Sequence, residues 1–241
     1  MSVIVVGDFD EKEMEKKVKD VFGNIPAKKD PVKRKRFDLP NHEKTLVEVT
    51  SDPEAPMAMV QLYTKHPVMK LEKVKDYKDL IVSSLVSNML SDRLKELTLE
   101  EEPPFVQGYA AHSNFLGPKS VYMGLGIARN NDVMTAMEAL VEENQRAKQH
   151  GFTKTELERA KSSVLKRMEK AYNERNKRES NKYVEEYKKH YLYPHDPVPG
   201  IEYEYKLYEK YIPEITLKEV NKKISKLVTN KNKVIIAMMP E

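Results

Sequence analysis

Residues 151–193 constrain this chain more than any other stretch. They open Gly151-Phe152-Thr153-Lys154-Thr155-Glu156, and Thr153 followed three residues later by Glu156 is a capping box, in which hydroxyl and carboxylate each satisfy an orphan backbone amide. Leu157, Ala160, Val164, Met168 and Ala171 then recur at spacings of three and four, while Arg159, Lys161, Lys166, Arg167, Glu169 and Lys170 occupy the other faces. A polar break at 176–181 precedes Tyr183, Val184, Tyr187 and Tyr191, which resume the helical spacing up to Pro194. One long helix or two consecutive ones are predicted. An amphipathic helix draws most of its stability from the packing of its apolar face. The rest of the chain must cover that stripe, and its strands are the expected cover.

Short elements precede and follow this stretch. Val3-Ile4-Val5-Val6 is an apolar β-branched run ended by Gly7 and reads as a buried strand rather than a leader peptide. Asp10 caps a helix with Met14, Val18, Val21 and Phe22 inward, stopped by Gly23 and Pro26. Alternation at 45–50 and 57–66 predicts two strands paired antiparallel across the turn at 51–56. Val74, Tyr77, Ile81, Ser84, Leu85 and Asn88 mark a helix, extended or followed by one holding Arg93, Leu94 and Leu97. Residues 105–114 and 120–129 predict a hairpin around Gly117-Pro118, in which Gly124 and Gly126 mark a bulge or a close backbone approach. Asp132 caps the helix of Met137, Leu140, Val141 and Asn144. Residues 203–211 read as helical, Thr216 with Glu219 opens another helix, and 234–239 is a final buried strand. The expected fold is α+β: an antiparallel sheet with helices packed on one face. The runs at 3–8 and 234–241 resemble each other, each an apolar strand leading to a turn and an acid, which suggests a tandem of like domains.

The chemistry is marked by what is missing. There are no cysteines among the 241 residues, so disulfides and thiolate catalysis are excluded. The 42 basic and 38 acidic residues are interspersed, without the segregated basic face of a nucleic-acid binder. The run Lys33-Arg34-Lys35-Arg36 lies in a stretch almost without apolar residues and reads as a solvated linker. No apolar run approaches the ~20 residues that span a bilayer. His42-Glu43 begins like a zincin motif, but position 46 is Leu, and His-x-x-Glu-His occurs nowhere. His190 and His195 are separated by Pro194, which interrupts any helix between them, and read as surface histidines. No nucleophile elbow or phosphate loop is present.

Four segments carry a resemblance. Val3-Ile4-Val5-Val6-Gly7-Asp8-Phe9-Asp10 with the helix ending Val21-Phe22-Gly23-Asn24-Ile25-Pro26, Ser91-Asp92-Arg93-Leu94-Lys95-Glu96-Leu97, Gly151 through Lys161, and Ile215-Thr216-Leu217-Lys218-Glu219-Val220 together resemble the pitrilysin/insulinase family of zinc peptidases, in its double-length bacterial form. The resemblance implies that residues 1–30 are the closing strand and helix of a preceding catalytic-type domain, with a linker, and that 31–241 form a non-catalytic α+β domain. It implies an internal fragment of a zinc-dependent metalloendopeptidase that supplies chamber wall and helps to enclose peptide substrate. The alternative is a purely structural or interaction subunit, like inactive members of the family. Zinc is expected in the parent and no cofactor in this fragment, which is expected to be inactive alone. The implied partners are the parent's other domains and a peptide, with no nucleic acid, in the periplasm or envelope of a bacterium. In many members an Arg and a Tyr seven residues apart hold substrate; the matching positions here are Thr98 and Phe105, so the clamp side chains are absent. Arg93, Thr98 and Phe105 are the positions expected at the substrate chamber, with Arg93 also read as a structural bonding group near its helix end.

Overall fold

The computed structural model describes residues 2–26, 28–32, 35, 37–193 and 196–241, without the side chain of Leu116. Three of the four residues of the basic run 33–36, and His195 of the candidate histidine pair, lie outside the described residues. The order of elements is α1 (Glu11–Phe22), β1 (Leu46–Ser51), β2 (Met59–Pro67), α2 (Val74–Leu97), β3 (Phe105–Leu116), β4 (Lys119–Ala128), α3 (Val133–His150), α4 (Lys154–Asn173), α5 (Ser180–Leu192), α6 (Ile201–Glu214), α7 (Leu217–Leu227) and β5 (Lys233–Met239).

The helix starts obey local chemistry. Asp10, Asp132, Thr153 and Thr216 each accept a hydrogen bond from the amide three residues on, and Glu156 and Glu219 close full capping boxes. The break after Asn173 resolves the first question raised by the sequence: α4 and α5 are separate helices joined through a short 3-10 turn.

The five strands form one sheet in the order β1-β5-β2-β4-β3. The β3–β4 hairpin turns at Gly117, whose positive φ of 53° suits glycine. β2 pairs antiparallel with both β4 and β5. The expected β1–β2 hairpin does not form. β5 lies between the two, antiparallel to β2 and parallel to β1. The reason is visible at both ends of β1. His42 N donates to Asn232 Oδ1 and Asn232 N donates to His42 O, each at 2.8 Å, and Asp52 N donates to Met239 O at 3.0 Å. Those contacts fix the chain before and after β1 to the two ends of β5.

Residues 3–6 are not a strand either. A strand needs a partner for its amides and carbonyls, and neither edge of the sheet takes this run. Val3 and Val5 remain 39% and 44% exposed. α1 follows with its apolar side uncovered and no buried residue.

Helices cover only one face of the sheet. Val60 and Leu62 of β2, Ala110 of β3, Tyr122 of β4 and Ala237 of β5 point to that side and join the core. α2 lies at its centre. It packs against β3, α3, α4, α6 and α7 and buries Tyr77, Ile81, Val82, Leu85, Val86, Met89, Leu90 and Leu94, which spread over about three quarters of its circumference and leave the half-buried Ser84, Ser87 and Ser91 on the remaining side. The 151–193 stretch is therefore not the organising element. α4 buries only Leu157, Ala160 and Val164, and α5 buries nothing. Nor do strands cover the α4 stripe, which packs on α2 and α6. Three glycines let the layers approach: a Cβ on Gly124 would stand 3.2 Å from Leu140, and Cβ atoms on Gly108 and Gly126 would meet the Phe105 ring at 2.7 and 3.2 Å.

Gly151 joins α3 to α4 with φ 73° and ψ −164°, a conformation open essentially to glycine alone. Asn221 of α7 packs against it and hydrogen-bonds the Phe152 amide at 2.8 Å. A Cβ at position 151 would lie 2.6 Å from the Asn221 amide group. Gly151→Ala should cost about 1–3 kcal/mol from the backbone alone. In thermal melts this corresponds to a Tm about 2–12 °C lower, whereas Gly117→Ala, with an open surround, should cost less.

Candidate functional site

The candidate site is the face of the sheet that no helix covers. Side chains alternate along a strand, so the pairing register assigns them to faces. Three cross-strand rows lie on the uncovered side: Tyr109–Leu125–Gln61–Ile236–Glu48, Ala111–Met123–Tyr63–Val234–Leu46, and Gln107–Ile127–Met59–Met238–Thr50. Their central members on β2, β4 and β5 are half-buried rather than buried. The surface is a continuous apolar floor with a polar thread through it. Tyr63 Oη donates to Gln61 Oε1, the Gln61 amide contacts Met59 Sδ at 3.0 Å, and the Tyr63 ring stacks on Phe115 at 6.4 Å. Burial, then the neighbouring Tyr109, pushes the Tyr63 phenol pKa above its ordinary value, so it stays a neutral donor and acceptor. At one border β1 is exposed along its whole length, with Leu46, Val47 and Val49 at 52–62%, and its outer backbone edge pairs with no other strand among the described residues. A floor like this can hold an extended chain by apolar contact and by strand pairing at its edge.

Of the three residues singled out from the sequence, the structure brings none onto this floor. Phe105 is fully buried among Leu94, Gly108 and Gly126 on the helix side, directed there by a bulge between Phe105 and Gln107. Thr98 caps the C-terminus of α2, its hydroxyl donating to Lys95 O at 2.7 Å.

Arg93 is the centre of a buried ionic knot. Its Nε and Nη2 reach the two oxygens of Glu156 at 2.5 and 3.1 Å, Nη1 reaches Glu143 Oε1 at 3.2 Å, and Nη2 also donates to Gly151 O at 2.8 Å. The Phe152 ring lies 4.8 Å from the guanidinium carbon. One side chain on α2 thus holds α3, the α3–α4 turn and the start of α4. Glu156 serves twice, as cap and as ion-pair partner. Burial alone would raise its pKa. The Arg93 hydrogen bond, the Thr153 amide and hydroxyl, and the Arg93 charge outweigh that and bring it down to about 2.

Among the described residues no group of three or more His, Asp or Glu is placed to hold a metal ion. Four of the six histidines spend ring nitrogens on the protein: His42 on Lys44 O, His66 on Leu227 O, His190 on Asp196 O, and His112 on two serine hydroxyls. This donor set does not fit zinc. No helix among the described residues is long and apolar enough to cross a membrane.

Comparison with known proteins places this architecture. The family model described as the peptidase M16 inactive domain matches residues 1–164. The chain belongs to the peptidase M16 inactive-domain family. This agrees with the pitrilysin-type resemblance and its non-catalytic branch. The M16 domain is 30% identical over 242 residues to an Arabidopsis thaliana protein named zinc protease PQQL-like, covering 100% of this chain and 22% of the relative. It is 25% identical over 181 residues to the probable zinc protease PqqL of Escherichia coli (strain K12), covering 74% of this chain and 19% of the relative. It superposes on the crystal structure of the first half of the periplasmic protease PqqL from Escherichia coli with a TM-score of 0.82, at 20% identity, over 98% of this chain and 50% of that one. The chain spans about a fifth of the length of the curated relatives it matches.

A sheet with helices on one face leaves the other open, and the sequence carries a signal that this open face is apolar. In β4, Met123, Leu125 and Ile127 alternate with Tyr122, Gly124 and Gly126, so both faces are apolar and both need contact. Glu143 was missed, since nothing in α3 marks it apart from other acids.

Arg93→Met should destabilise the domain by about 1.5–3 kcal/mol, because Glu143 and Glu156 lose charge-assisted hydrogen bonds while Glu143 keeps Arg146 and Glu156 keeps the Thr153 amide. The pH dependence tests the same knot. The stability that Glu156 contributes is complete above its unfolded pKa of 4.5 and is lost as pH falls toward about 2. Denaturant midpoints should fall across that window in the native protein and fall less steeply in Arg93→Met.

Proposed function

We propose that this chain is a non-catalytic wall of a zinc metallopeptidase, with its uncovered sheet face lining the enclosure in which a peptide is cut. The observation that carries the reading is the three-row apolar floor left open by a domain whose α2, α3, α4, α6 and α7 pack on the other side. The zinc protease names of relatives about five times longer support it. The cutting centre then belongs to another part of the parent, where zinc would polarise the scissile carbonyl. Residues 31–241 would be the wall itself. Residues 1–30 would complete the preceding domain, since α1 is amphipathic yet buries no residue among those described. The parent's other domains are the partners that would cover it. Peptide is the substrate class. The wall contributes no clamp: Arg93 and Phe105 hold it together from behind, and Thr98 ends the helix between them. The parent would act in the periplasm, the compartment of the Escherichia coli protease PqqL.

Two measurements test this. The isolated chain, incubated with zinc and an unfolded peptide, should show no chelator-sensitive cleavage. In the full-length parent, Met123→Glu and Ile236→Glu, both on half-buried floor positions, should leave the fold intact and lower kcat/KM for a long peptide by about tenfold or more, equivalent to about 1.4 kcal/mol of lost transition-state binding. Cleavage by the isolated chain, or a parent indifferent to charges on the floor, would overturn the reading.

A further inference from the structure

On the opposite side of the sheet lies a cavity of about 420 Å³, enclosed by the ends of β2 and β3, the first turns of α2 and the last turn of α7. It is separate from the floor, because His112 pairs with Tyr122, which points to the helix layer and bonds Asn144 of α3. His66 and His112 meet in the cavity edge to face, with ring centroids 5.8 Å apart. Leu71 and Leu80 supply an apolar wall.

The charge at its mouth is positive. Lys223 and Lys226 of α7 and Lys70 of the loop before α2 line the cavity, and Lys75 and Lys222 stand in the adjoining hollow that shares Asp79, Lys223 and Lys226 with it. The carboxylates nearby are already engaged: Asp79 holds Lys223 at 2.7 Å, and Asp76 accepts from the amides of Glu72 and Lys73. Lys75, Lys222 and Lys226 have no hydrogen bond or ion pair among the described residues. Ammonium groups gathered at a concave opening attract anions.

The frame around His112 adds a second observation. Its Nδ1 faces Ser83 Oγ at 3.3 Å and its Nε2 faces Ser120 Oγ at 3.1 Å. Each hydroxyl proton has another destination: Ser83 Oγ donates to Asp79 O at 3.0 Å and Ser120 Oγ donates to Pro67 O at 2.8 Å. Both ring nitrogens therefore face oxygen lone pairs. A neutral imidazole has one N–H and can satisfy only one of them, whereas an imidazolium satisfies both. The hydrogen-bond frame suits the cation and the surroundings oppose it. Burial, then Lys223 and His66, push the His112 pKa down to about 3 against the pull of Asp79. The charged and titratable groups around the ring are His66 on β2, Asp76 and Asp79 on α2, Lys223 and Lys226 on α7, and Lys70 in the loop between β2 and α2. An anion placed among them offsets the Lys223 charge, though not the burial, and so raises the His112 pKa from its value in the free chain.

We propose that this cavity binds a small organic anion, a carboxylate or phosphate monoester carrying a short apolar group, and takes up one solvent proton at His112 on binding. The anionic end meets Lys226 beside the imidazoles, acting on His112 through its charge while both ring nitrogens keep their serine partners, and the apolar end meets Leu71 and Leu80. The site lies on the helix side, so it stands independently of the wall reading.

Calorimetric titration of the 241-residue chain with sodium hexanoate, phenyl phosphate and neutral hexanamide tests the proposal, in two buffers of different ionisation enthalpy. Between about pH 4 and 6, above the free His112 value of about 3, at least one anion should bind with net proton uptake, and its affinity should weaken by up to about tenfold per pH unit as pH rises through that window. Hexanamide should bind at least about tenfold more weakly, a difference of about 1.4 kcal/mol. Lys226→Ala, at an exposed position, should weaken anion binding without changing the melting of the free chain. His112→Gln should abolish the proton uptake. Three results would overturn the assignment: hexanamide binding as tightly as hexanoate, His66 and His112 ring resonances unmoved by either anion at millimolar concentration, or proton uptake that survives His112→Gln. An active or inactive parent enzyme bears on none of these outcomes.

Discussion

The arrangement of the helical layer depends on one cation. Arg93 reaches Glu143 on α3, Glu156 on α4 and the carbonyl of Gly151 between them, from a position on the helix that forms the centre of the core. Apolar packing alone leaves helices free to slide, because the hydrophobic effect has no direction. A planar guanidinium with several donors does not allow that freedom. The junction it clamps is also where the backbone is least adaptable, at a glycine in a conformation few other residues adopt. Asn221 closes the same junction from α7. Three helices are thereby registered on α2 within a few residues of one turn.

With that layer fixed on one side, the sheet keeps its other side available. A soluble domain rarely leaves a broad apolar surface uncovered unless something else covers it. Here the surface is floored by methionine, leucine, isoleucine and tyrosine, crossed by glutamine, and bordered by an edge strand. Methionine side chains adapt to irregular partners. The combination suits a chain of varied sequence better than one fixed ligand. The buried arginine and the open floor belong to one design, since a rigid rear layer keeps a one-sided sheet from collapsing around its own apolar face.

What could be read from the sequence follows from the range of each interaction. Asp10, Asp132, Thr153 and Thr216 were legible as helix starts because a cap is complete within four residues. The β3–β4 hairpin was legible because its turn lies between its strands. The α+β class followed from those local elements and stands. The place of β5 was not legible, because its neighbours are decided by a contact between His42 and Asn232, far apart in sequence. Residues 3–6 looked like a strand since their composition suits one, but composition does not supply a partner. The sequence pattern of α2 marks one side, while its burial extends over about three quarters of the circumference, short of the side that carries Ser84, Ser87 and Ser91. Arg93 was legible as a bonding group and Glu156 as a cap, yet nothing local announced that the two meet. Phe105 matched a family position and nevertheless turns inward, at a bulge that spacing does not reveal.

The position of β5 has a consequence for biosynthesis. The ribosome delivers β1 and β2 early, yet the strand that separates them comes from residues 233–239. Until then each presents an unsatisfied border, and β1 has no companion at all. Long-range pairing of this kind is slow and leaves such borders open to unwanted association. While residues 68–232 are made, the sheet of this domain holds a gap, which β5 then fills like a keystone.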